Sequence, residues 1–243
     1  MSETVFLAGA GGAIGRQLVP LLIGADYRVF GTTRSSERAG TLEKLGVEPV
    51  ILDVFGVSAV DAAFQRIRPD ILVHMLTDLP RDLSPEAMIE GKHRNARIWC
   101  EATPNLMGAA KAAGTRRAIA QSLAWLYAPG PEPHEEGDPL GVTEPDLKIA
   151  LDAITVLEDR VLNTQPIEGT VLRFGLLYGP GTSSETPNGS CTLHVEAAAY
   201  AALRSIESGE RGVFNIVDDN GPVANRKARD TLGWYPEFRS VQC

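Results

Sequence analysis

The sequence predicts an α/β fold in which one doubly wound parallel sheet is covered by helices on both faces. The first observation is that short apolar segments alternate with segments of helical periodicity along most of the chain. The second is size: 243 residues, of which 44% are hydrophobic, are enough for the core of one such domain with a small addition.

Six apolar runs of strand length predict the strands of this sheet. They are Thr4–Ala8, Tyr27–Thr32, Glu48–Leu52, Ile71–Met75, Arg117–Gln121 and Gly169–Phe174. The segments between them place apolar residues at helical spacing, which predicts helices over Ile14–Ile23, Glu37–Leu45, Val57–Arg66, Pro85–Ala113 and Asp146–Leu162. Stretches rich in proline and glycine, Ala128–Gly141 and Gly179–Gly189, are predicted loops at the carboxyl edge of the sheet, where open α/β folds bind ligands.

The first predicted strand runs directly into a glycine-rich turn. Gly9, Gly12 and Gly15 follow one another at intervals of three residues, and Gly11 lies between the first two. Glycines at such a turn allow a tight bend, let the backbone approach a pyrophosphate, and let the following helix pack on the strand. Because helix amino ends attract anions, a strand, this turn and a helix together predict a dinucleotide site.

The end of the second strand indicates which dinucleotide the site prefers. Arg34 lies where an acidic residue would bind the ribose 2′-hydroxyl of NAD, and a guanidinium there suits the 2′-phosphate of NADP. Arg16 and Arg38 are available to join it, whereas Glu37 keeps NAD as the alternative.

Asp53, after the third strand, is placed to accept a hydrogen bond from the adenine amino group, although a turn role explains it equally. The predicted cofactor-binding residues are Gly9, Gly11, Gly12, Ala13, Ile14, Gly15, Arg34, Asp53, Val54 and Thr77.

Charge and composition exclude several classes of function. A formal net charge of −8 argues against nucleic acid or an anionic membrane as the main partner. No apolar run reaches the length of a membrane-spanning helix, and the first strand begins too early to leave room for a signal peptide, so we expect a cytoplasmic protein. Cys100, Cys191 and Cys243 lie far apart and form neither a disulfide framework nor a predicted metal site.

Several further segments resemble the extended and atypical short-chain dehydrogenase/reductase superfamily, in its NAD-dependent epimerase/dehydratase group. Besides the glycine turn, they are Arg68–His74, Asn105–Gly114, Leu172–Gly181, His194–Glu196, Gly212–Asp219 and Lys227–Pro236. The resemblance implies an NAD(P)-binding Rossmann domain over residues 1–178 and a shortened substrate-side part over 179–243, packed on the same domain. It also implies a homodimer through the helices predicted at 85–113 and 146–162, although their outer faces equally suit solvent.

Active members of this superfamily carry a Tyr-x-x-x-Lys pair that this chain lacks. Aligning Glu158 with the glutamate that follows the family lysine places Ile154 at the lysine and Ala150 at the tyrosine, and neither side chain can move a proton. Lys148 and His74 are candidate substitutes, although a surface or structural role fits each better.

The family's catalytic hydroxyl follows the fifth strand. Ser122 occupies a serine position there, but in a register shifted by one residue Leu123 takes the catalytic position. Tyr127 matches a family tyrosine that packs or contacts substrate. We therefore name Ser122 and Tyr127 as the candidate catalytic residues.

Two functional hypotheses follow from these residues. The first is an oxidoreductase or epimerase/dehydratase-like enzyme that uses NADP, or alternatively NAD, on a small carbonyl compound or sugar derivative. The second is a dinucleotide-binding sensor or scaffold without turnover. The intact glycine turn favours the first, and the missing tyrosine and lysine favour the second.

Overall fold

The fold is built on a parallel sheet whose strands lie in the order β3-β2-β1-β4-β5-β6-β9. The computed structural model describes residues 2–80 and 83–240. The strands of this sheet are β1 (Thr4–Ala8), β2 (Arg28–Thr33), β3 (Glu48–Ile51), β4 (Ile71–His74), β5 (Arg117–Leu123), β6 (Glu168–Phe174) and β9 (Gly212–Ile216). Two further short strands, β7 (Leu176–Tyr178) and β8 (Thr192–His194), pair with each other in parallel.

Helices fill the connections between the strands. They are α1 (Ala13–Gly24), α2 (Ser36–Lys44), α3 (Val57–Ile67), α4 (Pro85–Arg97), α5 (Thr103–Ala113), α6 (Pro145–Asn163) and α7 (Val195–Ser208). The predicted single helix over 85–113 is interrupted by a π-helical turn at Ile98–Ala102. Pro104 lies two residues after the end of that turn. Because proline has no N–H, it cannot donate to the carbonyl of Cys100, four residues earlier and within the turn, which favours irregular helix at this point. Within the described residues, no helix is long and apolar enough to cross a bilayer.

The prediction of six strands is incomplete, because the part of the chain after residue 178 contributes to the main sheet. Strand β9 pairs with β6 along five residue pairs, and helix α7 packs against α1 on one face of the sheet. The residues after Tyr178 are therefore part of the main core. The division of the chain at 178/179 stays a prediction.

The core has two layers because side chains alternate between the two faces of the sheet. In β1, Val5 and Leu7 pack in the layer that contains α1 and α7, whereas Phe6 and Ala8 pack in the layer of α3, α5 and α6. All four side chains are fully buried. Burial on both faces explains why the strands of the sequence are apolar without alternation.

The order of the strands reverses beside β1, which opens a crevice at the carboxyl edge of the sheet. The chain proceeds from β1 through β2 to β3 on one side, then returns to place β4 on the other side of β1. The loop that follows β5 lies at the same edge, and backbone hydrogen bonds between His134 and residues 222 and 224 connect it to the loop after β9.

Candidate cofactor and substrate site

The glycine turn is shaped by close contacts within the protein itself. Gly9 has a φ of +104°, and a Cβ there would lie 2.6 Å from the carbonyl oxygen of Met75 at the end of β4. A Cβ on Gly15 would lie 2.2 Å from the carbonyl oxygen of Gly9. Both distances are too short for any side chain, so these two positions require glycine whether or not a ligand is bound.

The amino end of α1 is open to an anionic ligand. Gly12 is its N-cap and supplies no side-chain hydrogen bond, and the first turn contains no acidic residue. A Cβ on Gly11 would meet no protein atom within 4 Å, so the space above Gly11 is free. Unpaired N–H groups, the helix dipole and this free space together fit a pyrophosphate.

The remaining predicted cofactor residues lie at the carboxyl ends of the neighbouring strands. Arg34 follows β2 and is exposed, and no carboxylate among the described residues forms an ion pair with it. Asp53 and Val54 follow β3: the Asp53 carboxylate accepts a hydrogen bond from the Phe55 N–H at 3.1 Å, which gives it the turn role anticipated above. Thr77 follows β4 and is exposed. The fold thus brings all ten residues to one edge, while their contact with a cofactor stays a prediction.

His74, at the end of β4, is a buried neutral side chain. Its Nδ1 accepts a hydrogen bond from the Leu76 N–H at 3.3 Å, so the proton is on Nε2, which lies 3.0 Å from the Thr103 hydroxyl. Burial lowers the pKa of His74 to about 4. His74 therefore supports the turn after β4 as a neutral side chain.

We expect His74 to make the protein sensitive to acid. Its pKa is about 4 when folded and 6.5 ordinarily, so the folded state binds fewer protons between these values and stability falls as pH decreases from 6.5 towards 4. The loss due to this residue is on the order of 3 kcal/mol. The test is to measure the free energy of unfolding in denaturant, for the wild type and for His74→Gln, at several pH values between 6.5 and 4. Parallel stability curves for the two proteins would contradict the expectation.

Ser122 is part of a buried charged network. Its hydroxyl donates a hydrogen bond to Oε1 of Glu158 at 2.6 Å, and the side chain is only 1% exposed. Glu158 in turn accepts two hydrogen bonds from Arg173, from Nε at 2.9 Å and from Nη2 at 2.7 Å. Burial alone acts to lower the pKa of Arg173, but the charge and hydrogen bonds of Glu158 outweigh it and raise that pKa. The geometry gives Ser122 a structural role, and its catalytic role stays a prediction.

Tyr127 extends this network to the surface of the site. Its hydroxyl donates to Oδ1 of Asn215 at 2.7 Å and accepts from Nη1 of Arg173 at 2.9 Å. Its ring stacks on His134, with centroids 5.0 Å apart. Burial raises the pKa of Tyr127, although Arg173 and Asn215 act in the opposite direction. The phenol is therefore protonated at neutral pH, and its proton is directed towards Asn215.

The two α6 residues that the sequence pattern predicts at the positions of the family pair have apolar side chains. Ile154 is fully buried among the side chains of the α6 layer, and Ala150 is half-buried. Lys148 is exposed and its Nζ donates to Asp152 at 2.9 Å, one turn further along the helix. Lys148 is therefore exposed on α6 and paired with Asp152.

A cleft of about 340 Å³ lies beside Tyr127, between the loop after β5 and the amino end of α6. This is the lower end of the size range of small-molecule sites. Its principal lining residues are Trp125, Tyr127, Glu132, His134, Glu144 and Leu147.

The sequence pointed to Ser122 and Tyr127 but not to the side chains that hold them. Glu158, Arg173 and Asn215 are far apart along the chain, and each is at most 7% exposed. The available signal was an arginine and an asparagine inside segments of strand character, since buried charged and polar groups need partners.

Comparisons with known proteins agree with this architecture. The profile of the NAD dependent epimerase/dehydratase family matches residues 5–210. A 3-diazoavenalumate denitrifying reductase from Streptomyces sp is 35% identical over 96% of this chain and 80% of that protein. The NADPH-dependent methylglyoxal reductase GRE2 of Saccharomyces cerevisiae is 37% identical over 83 residues, which are 32% of this chain and 24% of that protein.

Solved structures of low sequence identity share the fold. UDP-glucose 4-epimerase from Thermotoga maritima, solved with UDP-glucose, superposes with a TM-score of 0.77 at 18% identity, over 97% of this chain and 94% of that one. The enzyme of the same name from Bifidobacterium longum, solved with NAD+ and UDP, gives 0.76 at 18% identity with the same coverage.

Proposed function

The chain belongs to the NAD-dependent epimerase/dehydratase family, and from that membership we propose that it is an NADPH-dependent reductase that donates no proton to its substrate. The proposal rests on a contrast between the glycine turn and the helix positions where the family has its catalytic pair. The glycine turn fits a dinucleotide, whereas Ala150 and Ile154 provide no acid where the family has tyrosine and lysine. None of the five tyrosines of the sequence is followed by lysine four residues later.

NADPH bound at the glycine turn would supply hydride. Reduction of a carbonyl to an alcohol also consumes a proton, which a general acid normally delivers. Replacement of a diazonium group by hydrogen does not: the C–N bond breaks, its electron pair leaves with N₂, and the new C–H bond takes the hydride pair. Because one relative is named for reducing a diazo compound with loss of nitrogen, we propose a diazo or diazonium group as the substrate's reactive part.

The test compares a benzenediazonium salt with a panel of aromatic aldehydes. With the diazonium salt we expect NADPH absorbance to fall and N₂ to appear in equal amounts, faster than in an enzyme-free mixture. The arene should contain deuterium when deuterated NADPH is used and none when the solvent is D₂O. Consumption with aldehydes alone would refute the diazo proposal, and tight NADPH binding without any consumption would establish the sensor alternative.

Arg34 supports the choice of NADPH over NADH. Its guanidinium is exposed, has no carboxylate partner among the described residues and lies at the carboxyl end of β2. We expect Arg34→Ala to weaken NADPH binding about 10- to 100-fold and to leave NADH binding unchanged, since a charged hydrogen-bonded contact is lost. Calorimetric titration measures both affinities. Arg28→Ala, at the amino end of the same strand, is the control and should change neither; equal losses for both cofactors in Arg34→Ala would contradict the assignment.

We propose that Tyr127 contacts the substrate and that Ser122 positions Tyr127 through Glu158 and Arg173. Tyr127 is the one of the two candidate residues that lines the cleft. Tyr127→Phe should lower turnover about tenfold with unchanged NADPH affinity, because loss of the hydroxyl removes the hydrogen bonds to Asn215 and Arg173 that hold the ring in place. Steady-state kinetics and cofactor titration separate the two quantities. An unchanged rate would remove Tyr127 from the site.

A further inference from the structure

The cleft beside Tyr127 is lined by aromatic rings and by carboxylates. Trp125 is half-buried and lines it, and so does the stacked pair of His134 and Tyr127. Glu132 and Glu144 are exposed and line it from the loop after β5 and from the N-cap of α6. Among the described residues that line the cleft there is no lysine or arginine. Its formal charge is therefore negative.

Three cationic side chains of the elements around the cleft, Arg173, Lys148 and Lys92, are already paired. The guanidinium of Arg173 lies 5.3 Å from the Tyr127 ring, but its charge is neutralised by the two hydrogen bonds to Glu158. Lys148 follows the lining residue Leu147 and donates to Asp152. Lys92 pairs with Asp146 at 2.9 Å. These pairs leave the charges of Glu132 and Glu144 without a cationic partner, since neither carboxylate forms an ion pair within the described part of the chain.

An aromatic face beside unpaired carboxylates is the arrangement that binds organic cations. The ring face of tryptophan attracts a cation more strongly than that of tyrosine or phenylalanine, and the attraction increases when water is partly excluded. The Tyr127 ring already stacks on His134 and lies 5.3 Å from the Arg173 guanidinium carbon, whereas Trp125 makes no ring or cation contact among the described residues.

We propose that this cleft binds the positively charged group of a small organic cation, with Trp125 against the cation and Glu132 and Glu144 as its counter-charges. The inference rests on the proposed function: a diazonium group carries a full positive charge, so the cleft holds the reactive end of the substrate. A neutral aldehyde or an anionic sugar nucleotide has no group that this lining favours.

A pair of probes of the same shape tests the proposal without turnover. The first is 4-hydroxyphenyltrimethylammonium, and the second is 4-tert-butylphenol, its neutral counterpart. Calorimetric titration of the protein loaded with NADP+ should show the cation binding about 10-fold more tightly than the neutral probe, with the difference decreasing at high salt. Trp125→Leu should weaken cation binding by a similar factor.

Substitution by glutamine tests whether Glu132 and Glu144 are the carboxylates that attract the cation. Glu132→Gln combined with Glu144→Gln should remove the difference between the two probes, whereas Glu135→Gln, an exposed residue of the same loop outside the lining, should preserve it. Equal affinity for the two probes, tighter binding of the neutral one, or no binding of either would overturn the cation site. If diazonium turnover is found without cation preference, only this inference fails; if cation preference is found without turnover, only the reductase proposal fails.

Discussion

Replacing Gly15 by alanine is expected to weaken NADPH binding by at least about 100-fold. A loss of this size corresponds to the free energy of two or more hydrogen bonds to the pyrophosphate. The added Cβ would lie 2.2 Å from the Gly9 carbonyl oxygen and 2.8 Å from the Ala10 Cα, both of them backbone atoms. No side-chain rotation relieves such contacts, so the turn or the first turn of α1 has to move. The backbone N–H groups that would bind phosphate move with it.

The same substitution should destabilise the protein by about 1–3 kcal/mol, the usual range for overpacking. Calorimetric titration with NADPH and thermal unfolding measure the two effects. Gly24→Ala is the matched control, because Gly24 lies at the other end of α1 and a Cβ there meets nothing within 4 Å. It should stabilise the protein by about 0.4–1 kcal/mol. Wild-type affinity in Gly15→Ala would exclude the turn as the cofactor site.

Gly11→Ala distinguishes an effect on NADPH binding from an effect on the stability of the fold. A Cβ on Gly11 has free space in the protein, so stability should not fall. A fall in NADPH affinity would then show that the bound pyrophosphate contacts the backbone at Gly11.

Arg173→Met is expected to lower the free energy of unfolding by about 3–5 kcal/mol, the cost of leaving one partner of a buried ion pair unpaired. The side chains of Arg173 and Glu158 are 7% and 10% exposed. Without the guanidinium, the Glu158 carboxylate loses two of its three side-chain hydrogen bonds and retains only that from Ser122.

Equilibrium unfolding in urea measures the change. The control is Lys148→Met, which breaks a pair whose side chains are 67% and 62% exposed and should cost less than about 0.5 kcal/mol. The double variant Glu158→Met with Arg173→Met should recover part of the loss, because no charge is then left unpaired. Similar losses in Arg173→Met and Lys148→Met would mean that the buried network contributes no more than a surface pair.

Most of the sheet was predictable because its strands are buried on both faces, which leaves uninterrupted apolar runs such as Val5–Ala8 and Ile71–Val73. Strand β9 escaped prediction because Asn215 interrupts its apolar run. In the fold, Tyr127 donates to the Asn215 side-chain oxygen and the Glu136 carboxylate accepts from its backbone N–H, while its buried Nδ2 has no partner among the described residues. Such partners come from distant parts of the chain, so periodicity does not show them.

The glycine turn could be predicted from the sequence, whereas the network around Ser122 could not. The glycine turn is a local feature, and its contacts join residues that are adjacent along the chain or lie at the ends of neighbouring strands. The network of Ser122, Glu158 and Arg173 forms only when β5, α6 and β6 have come together. The sequence shows neither that the Ser122 hydroxyl bonds to Glu158 nor that the Tyr127 ring stacks on His134.

The packing of α7 on α1 makes two segments that lie far apart along the chain thermodynamically interdependent. Small side chains such as Ala198 and Ala202 of α7 lie in the same core layer as Leu18 and Leu22 of α1. Helix α1 carries the glycine turn at its amino end. A dinucleotide that binds only the ordered turn therefore also stabilises the docking of α7. By reciprocity, a change that loosens α7, although it is far from the ligand, lowers the affinity for the cofactor.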